Sequence, residues 1–440
     1  MKIKNSPDCV RFLFAAVFVI IAFGAVGCAR ISNALPVKNI EINNNSSSDV
    51  IQNTNSQAYQ WSILYKLSEK DDELAKIPVS IGPREKNYYE NRISFRNNGM
   101  ESVTRKRLSD KERVLGLKLL NVKTGKIQII KVSTKITSDG VSIVSPDGYQ
   151  INIVERPNGI KWNLWNTLYR VSAPKDTVVI KNNFPREEKI TVTKIVNGNP
   201  KKETKKVTMG FMYIPHSEYF EQKEENKVLI KVGSDYVKKI VNDAFSLLRE
   251  RGVESKAFPG ELVADLKALS PKFFERLPLL EQGDLTEFML EPQRTVDRAL
   301  TILGANRESS WKHTCNRADA CGWIQFTPGT YSYMKQSYPL AQLMPNFEEG
   351  AGNHINSMMA AILLHDSNLA GLVRKYGENI ANDPRLEEYL AASYNGSPRW
   401  VWKSLDATLG NTFYDWTKHL RTETHGFMFK LRYLVENKLP

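Results

Sequence analysis

Three regimes of hydrophobic and polar positions follow one another along the chain. Leu13 to Val26 is an unbroken run of apolar and small residues, at about 14 residues shorter than the roughly 20 an α-helix needs to cross a bilayer core. From about residue 85 to 220 short alternating segments predict strands: VLGLKLLNV, KIQIIKVSTKI, VSIVS, YQINIVE, KITVTKIVNG and KKVTMGFMYIP. Thr124-Gly125, Asp139-Gly140, Asp147-Gly148, Asn158-Gly159 and Asn197-Gly198 separate them with turn chemistry. From about 225 the spacing turns helical. Ser234 is placed to cap a helix whose Val237, Ile240, Val241, Ala244, Phe245 and Leu248 share a face, with Gly252 ending it. Asn346 with Glu349 forms a capping box before Ile355, Met358, Met359, Ile362 and Leu363, and Asp383-Pro384 opens another helix. The expected fold class is α+β multidomain: an antiparallel β accessory domain over 61–224, then an all-α domain over 225–440.

The N-terminus bears on the compartment. Lys2, Lys4 and Arg11 form a basic head before the apolar run, which reads as a secretory signal peptide over 1–27. Ala25-Val26-Gly27-Cys28 resembles a bacterial lipobox, which implies cleavage before Cys28 and acylation of that residue. Residues 28–60 are Asn/Ser-rich and read as a flexible tether. Of four cysteines, Cys9 leaves with the signal and Cys28 carries lipid, so Cys315 and Cys321 remain as a disulfide pair in an oxidising space. So small a loop contributes about 2 kcal/mol in the chain-entropy model. The rival, two thiols binding metal, needs more ligands than the scattered histidines offer. No cofactor or metal is expected.

Removing residues 1–27, with Lys2, Lys4 and Arg11 against Asp8, takes the formal charge from +13 to +11. Export points such a basic surface away from nucleic acid and toward anionic wall polymer or headgroups. Lys181 to Lys206 holds eight basic residues against three acidic ones, as an exposed hairpin facing an anionic partner would, or an edge guarded by lysines.

Three motifs carry the chemistry: Glu308-Ser309, then Gly322-x-x-Gln325-x-x-Pro328-x-Thr330, then Ala392-x-Tyr394-Asn395-Gly396. In that order they resemble the soluble lytic transglycosylase family of lysozyme-like peptidoglycan enzymes, over about residues 290 to 435. A weaker fourth, Glu423-Thr424-His425, is similar to the family's Glu-Thr-Arg segment, with His425 where the family has Arg. The resemblance implies a lyase that breaks the bond between N-acetylmuramic acid and N-acetylglucosamine, leaving 1,6-anhydromuramic ends. One carboxyl, Glu308, would protonate the leaving oxygen and then take the proton from the attacking 6-hydroxyl, with the substrate's N-acetyl group as internal nucleophile. Glu308 lies near the line of Leu300 and Leu303 on the preceding helix, and partial burial there would raise its pKa. By position, Ser309, Gln325, Tyr394, Asn395 and Glu423 would bind the sugars, and a Cys315–Cys321 bridge would fix the acid relative to the sugar-binding turn.

Two other readings stay open. Asp319 falls close to where goose-type lysozymes are similar in placing an aspartate, which would make the enzyme a muramidase with Asp319 as base. Alternatively, the helical part is a non-cleaving wall-binding module and the β domain recruits an envelope partner. Ala29 after Cys28 is similar to lipoproteins sorted to the outer membrane, which in a Gram-negative host implies an anchored protein facing the periplasm.

Overall fold

The computed structural model describes residues 66–440, apart from 84–86, 97–98, 109–110, 138–139, 155–161, 197–198, 222–223, 317–318 and 409–414. The expectations for the signal peptide, Cys28 and the tether, and for the turns at 158–159 and 197–198, lie outside the described residues.

A short helix, α1 (Asp71–Ala75), precedes the strands. These are β1 (Ser80–Ile81), β2 (Asn87–Arg96), β3 (Gly99–Leu108), β4 (Arg113–Asn121), β5 (Ile127–Thr137), β6 (Gly140–Val144), β7 (Gln150–Ile153), β8 (Tyr169–Ala173), β9 (Thr177–Val196) and β10 (Asn199–Tyr213). The main sheet is antiparallel in the order β10-β9-β4-β5-β6, with β1 on β4; β2-β3 and β7-β8 are separate hairpins. All six segments expected as strands are strands. The β2-β3 ribbon, β8 and the start of β9 have weaker alternation and were not expected.

Strand β4 is buried on both faces. Leu115, Leu117 and Leu119 join the large core, while Leu120 joins a smaller cluster with Ile127, Ile180 and Phe220. Lys118 is also fully buried. Its ammonium meets Asp71 and donates to the Leu67 carbonyl at 3.1 Å, and Asp71 also holds Lys181 at 2.6 Å. Asp71 thus ties α1 to the sheet through two lysines, and backbone carbonyls take further ammonium donors. Past Phe184, β9 and β10 pair only with each other, as an arm on which Ile190, Ile195 and Met209 are exposed.

Helices follow: α2 (Glu218–Glu221), α3 (Glu224–Glu250), α4 (Pro271–Gln282), α5 (Leu285–Leu290), α6 (Pro292–Asn306), α7 (Pro328–Ser337), α8 (Phe347–Gly352), α9 (His354–Tyr376), α10 (Leu386–Gly396), α11 (Pro398–Thr408) and α12 (Thr422–Glu436). Among the described residues no helix is long and apolar enough to cross a membrane. The described residues form one compact unit, and buried side chains of the sheet and the helices belong to one contiguous cluster.

Three expected helix starts differ: α10 begins at Leu386, past Asp383-Pro384, whose aspartate accepts from the Arg385 amide at 2.8 Å, and two others are displaced. Ser234 lies inside α3, which begins ten residues earlier at Glu224. Asn346 does cap a helix, accepting from the Glu349 amide at 3.1 Å, but that helix is the short α8; Asn353 caps α9, where Ile355 to Leu363 lie. The reason at Ser234 is tertiary. Its neighbour Gly233 sits where α3 crosses α6, and a Cβ there would stand 2.0 Å from the Leu300 carbonyl oxygen. Gly304 makes the reciprocal approach, 2.1 Å from the Leu229 carbonyl. Gly233→Ala is expected to lower stability by about 2 kcal/mol, because overpacking against backbone costs up to about 3 kcal/mol and helix propensity returns about 1 kcal/mol. A denaturant midpoint equal to wild type would show that the helices do not cross this closely.

Candidate active site

Helix α4 starts at Ser270 with Pro271 in its first turn, and it buries Phe273, Phe274, Leu277 and Leu280. Its last turn carries Glu281 and Gln282. Two long-range contacts hold that end. Lys430 of α12 is buried and donates to the Leu280 carbonyl and, at 3.0 Å, to the Gly283 carbonyl, so an ammonium satisfies oxygens that a helix end leaves open. Gln282 Nε2 donates to the Trp323 carbonyl at 2.7 Å and to that of Gly322 at 3.3 Å. The helix end is therefore fastened to the Gly322–Gln325 turn.

That turn is built by backbone conformation. Gly322 has φ +78° and Gln325 has φ +54°, both in the left-handed region. Cys321 and Phe326 exchange backbone hydrogen bonds at 2.8 and 3.0 Å, closing the loop, and Gln325 Nε2 donates to the Gly322 carbonyl at 2.7 Å. The expected Cys315–Cys321 disulfide is present immediately before it. Trp323 is fully buried, stacked on His354 at 4.2 Å, with its indole N–H donating to Ser357 at 2.9 Å. Burial holds the His354 imidazole down at about 4, so it is neutral at ordinary pH.

Helix α10 delivers Tyr394 to this turn. Its hydroxyl donates to the Ile324 carbonyl at 2.7 Å. Asn395 is exposed, and its Oδ1 accepts from Thr424 of α12 at 3.1 Å. Gly396 lies against the same threonine, where a Cβ would stand 2.3 Å from Thr424 Oγ1. Motifs about seventy residues apart in the chain thus meet, with Gln325, Tyr394 and Asn395 gathered around the ends of α4, α10 and α12.

One carboxyl in this neighbourhood, acting on both Lys430 and Tyr394, is Glu281. Desolvation pushes it up to about 7, against the lowering effect of Lys430. The Tyr394 phenol is raised by its own burial and then by Glu281. Among the described residues no hydrogen bond engages the Glu281 carboxyl. A group half protonated near neutrality, held by its helix rather than by a partner, suits a donor that must also accept.

Glu308 and Ser309 lie just past the end of α6, and the Ser310 carbonyl that follows them meets His354 Nε2 at 2.9 Å, the imidazole stacked on Trp323. Helix α6 stops at Asn306, Arg307 takes φ +47°, and the chain turns through a single 3-10 turn over Arg307–Ser309. That kink lifts Glu308 off the buried stripe of Leu300 and Leu303, and its side chain is exposed rather than partly buried as the helical spacing suggests. Its electrostatic neighbour is Tyr236, whose hydroxyl meets His354 Nδ1 at 2.9 Å. Ser309 is half-buried, Glu423 is exposed within 3.9 Å of Arg421, and Asp319 is exposed in a left-handed turn inside the disulfide bracket.

The raised pKa of Glu281 was not foreseen from the sequence although a signal was there. A carboxylate in the last turn of a helix opposes the macrodipole, and Leu277-Pro278-Leu279-Leu280-Glu281-Gln282-Gly283 puts an acid at the end of an apolar run just before a stop. Helices α5 and α6 separate it from the turn in sequence, whereas Glu308 stands much nearer. Among the described residues no three His, Cys, Asp or Glu side chains group so as to hold a metal ion. Comparison with protein-family models, curated proteins and solved structures gave no match.

Proposed function

We propose that this protein is a lytic transglycosylase cutting the N-acetylmuramic acid to N-acetylglucosamine bond of peptidoglycan glycan strands, with Glu281 rather than Glu308 in the acid role. The observation that carries the reading is the bond from Tyr394 to the Ile324 carbonyl. It joins the two sugar-binding motifs of the resemblance beside a carboxyl whose proton is retained near pH 7. In the first step the Glu281 carboxylic acid protonates the glycosidic oxygen as it leaves. The carboxylate so formed then accepts the proton of the muramyl 6-hydroxyl, whose oxygen attacks the anomeric carbon and closes the 1,6-anhydro ring. Tyr394 and the turn around Gln325 position the sugar, with Asn395 at the exposed edge. Ser309 and Glu423 have no assigned part in this reading, and Asp319, exposed in its turn, gains no support as a hydrolytic base. The lipidated Cys28, an outer-membrane anchor facing the periplasm and an envelope partner for the β part belong to the same proposal.

Lys430 supplies the test on pH. Its positive charge lowers the Glu281 pKa, so Lys430→Met raises that pKa further and keeps the acid protonated to higher pH. The alkaline limb of cleavage of purified peptidoglycan is expected to move up by about one pH unit. An unmoved or lowered limb would separate Glu281 from the chemistry.

A further inference from the structure

We infer that a second pocket, where the β part meets α5 and α6, is a carbohydrate-binding subsite that takes one N-acetylhexosamine ring of the glycan. The inference rests on the proposed function for the identity of the polymer, and on its own geometry for the site. The pocket has a volume of about 150 Å³ and is lined by Trp165, Asn166, Gln282, Glu287, Trp311 and Thr314, with exposed Asn163 at its rim.

Its polar groups point to the ligand class. Glu287 is 4% exposed; one of its oxygens pairs with Arg298, and the other, Oε1, is buried without a hydrogen-bond partner among the described residues. Thr314 Oγ1 is in the same condition. A buried polar atom left unmatched costs about 1–3 kcal/mol, so two of them lining one pocket favour a ligand that brings hydroxyl or amide groups. Charge excludes an anionic one, since the single cation in the lining is already paired. Arg298 already balances Glu287, and Asp284 accepts from the Thr286 and Glu287 amides at the start of α5. A neutral ring with an apolar face and a polar edge fits two indole walls and a set of amide, hydroxyl and carboxylate groups.

Two continuities tie the pocket to the glycan path. Gln282 is the residue after Glu281 and is fixed to the Gly322–Gln325 turn. On the other side, Leu164 and Trp165 also line a larger trough of about 540 Å³ along the base of the β9-β10 arm, so a chain seated in the pocket has room to continue. Trp165 packs edge-on against Phe184 and Phe211, which makes that wall rigid.

The probe is the N-acetylglucosamine trimer, titrated into the full chain by calorimetry, with Asn163→Trp to plug the rim and Thr314→Val to remove one unmatched hydroxyl. Saturable binding that Asn163→Trp weakens at least tenfold supports the subsite. The absence of saturable binding, or unchanged affinity in Asn163→Trp, overturns it; if that variant does not fold, Thr314→Val carries the same criterion. Trimer binding by a chain that leaves peptidoglycan intact would keep the subsite and refute the enzyme, and cleavage without pocket-dependent binding would do the reverse.

Discussion

Glu281→Gln is expected to reduce release of soluble fragments from peptidoglycan by about a thousandfold, whereas Glu308→Gln stays within a few-fold of wild type. The size follows from the loss of a positioned proton donor, which contributes about 10²- to 10⁴-fold. The amide keeps the shape of the side chain and its place at the end of α4, so the loss falls on chemistry and not on fold. Stability gives an independent reading with opposite sign. Because the folded protein holds the Glu281 proton more tightly than the unfolded chain does, stability falls as pH rises from the ordinary glutamate range through about 7. Gln cannot ionise, so Glu281→Gln is expected to be at least as stable as wild type at pH 8 while being inactive there. A variant that lost activity only by unfolding would show the reverse, and equal loss in Glu308→Gln would return the acid role to that residue.

Gly322→Ala is the second large effect. Gly322 has φ +78°, and a Cβ there would lie 2.1 Å from the carbonyl oxygen of Ala351 in α8. The left-handed backbone costs a non-glycine residue about 1–2 kcal/mol, and contact with backbone adds about 1–3 kcal/mol because no rotamer relieves it. A loss of about 3 kcal/mol is expected from the denaturant midpoint. Activity should also fall well below the unfolding range, since the carbonyls that receive Gln282 and Tyr394 belong to this turn. Wild-type stability in the alanine variant would contradict the close seating of the turn on α8.

How far the sequence foretold the molecule depends on how local each cause is. Strands β4 to β7, β9 and β10 were legible because alternation and glycine turns are properties of neighbouring residues; Gly125 and Gly148 do take positive φ. Gly252, also at positive φ, ends α3 as expected. The true start of α3 was hidden because Gly233 reads as a break until the Leu300 carbonyl it faces is known. In the site, Gln325, Tyr394 and Asn395 were legible by motif and do gather. The surroundings of Glu281 were not, because Lys430, Tyr394 and the turn at 322–325 are all distant from it in sequence. Glu308 is exposed rather than partly buried for a local reason: helical spacing carried it along the Leu300 stripe, and the positive φ of Arg307 interrupts that spacing one residue before it.

The central claim concerns a bond broken without water, so the mass of the product tests it most directly. The protein, with Glu281→Gln beside it, would be incubated with purified peptidoglycan and the soluble fragments analysed by mass spectrometry. Muropeptides one water lighter than reducing ones, released by wild type and absent with Glu281→Gln, are the predicted result. Reducing muropeptides, or anhydro products undiminished in Glu281→Gln, would contradict it.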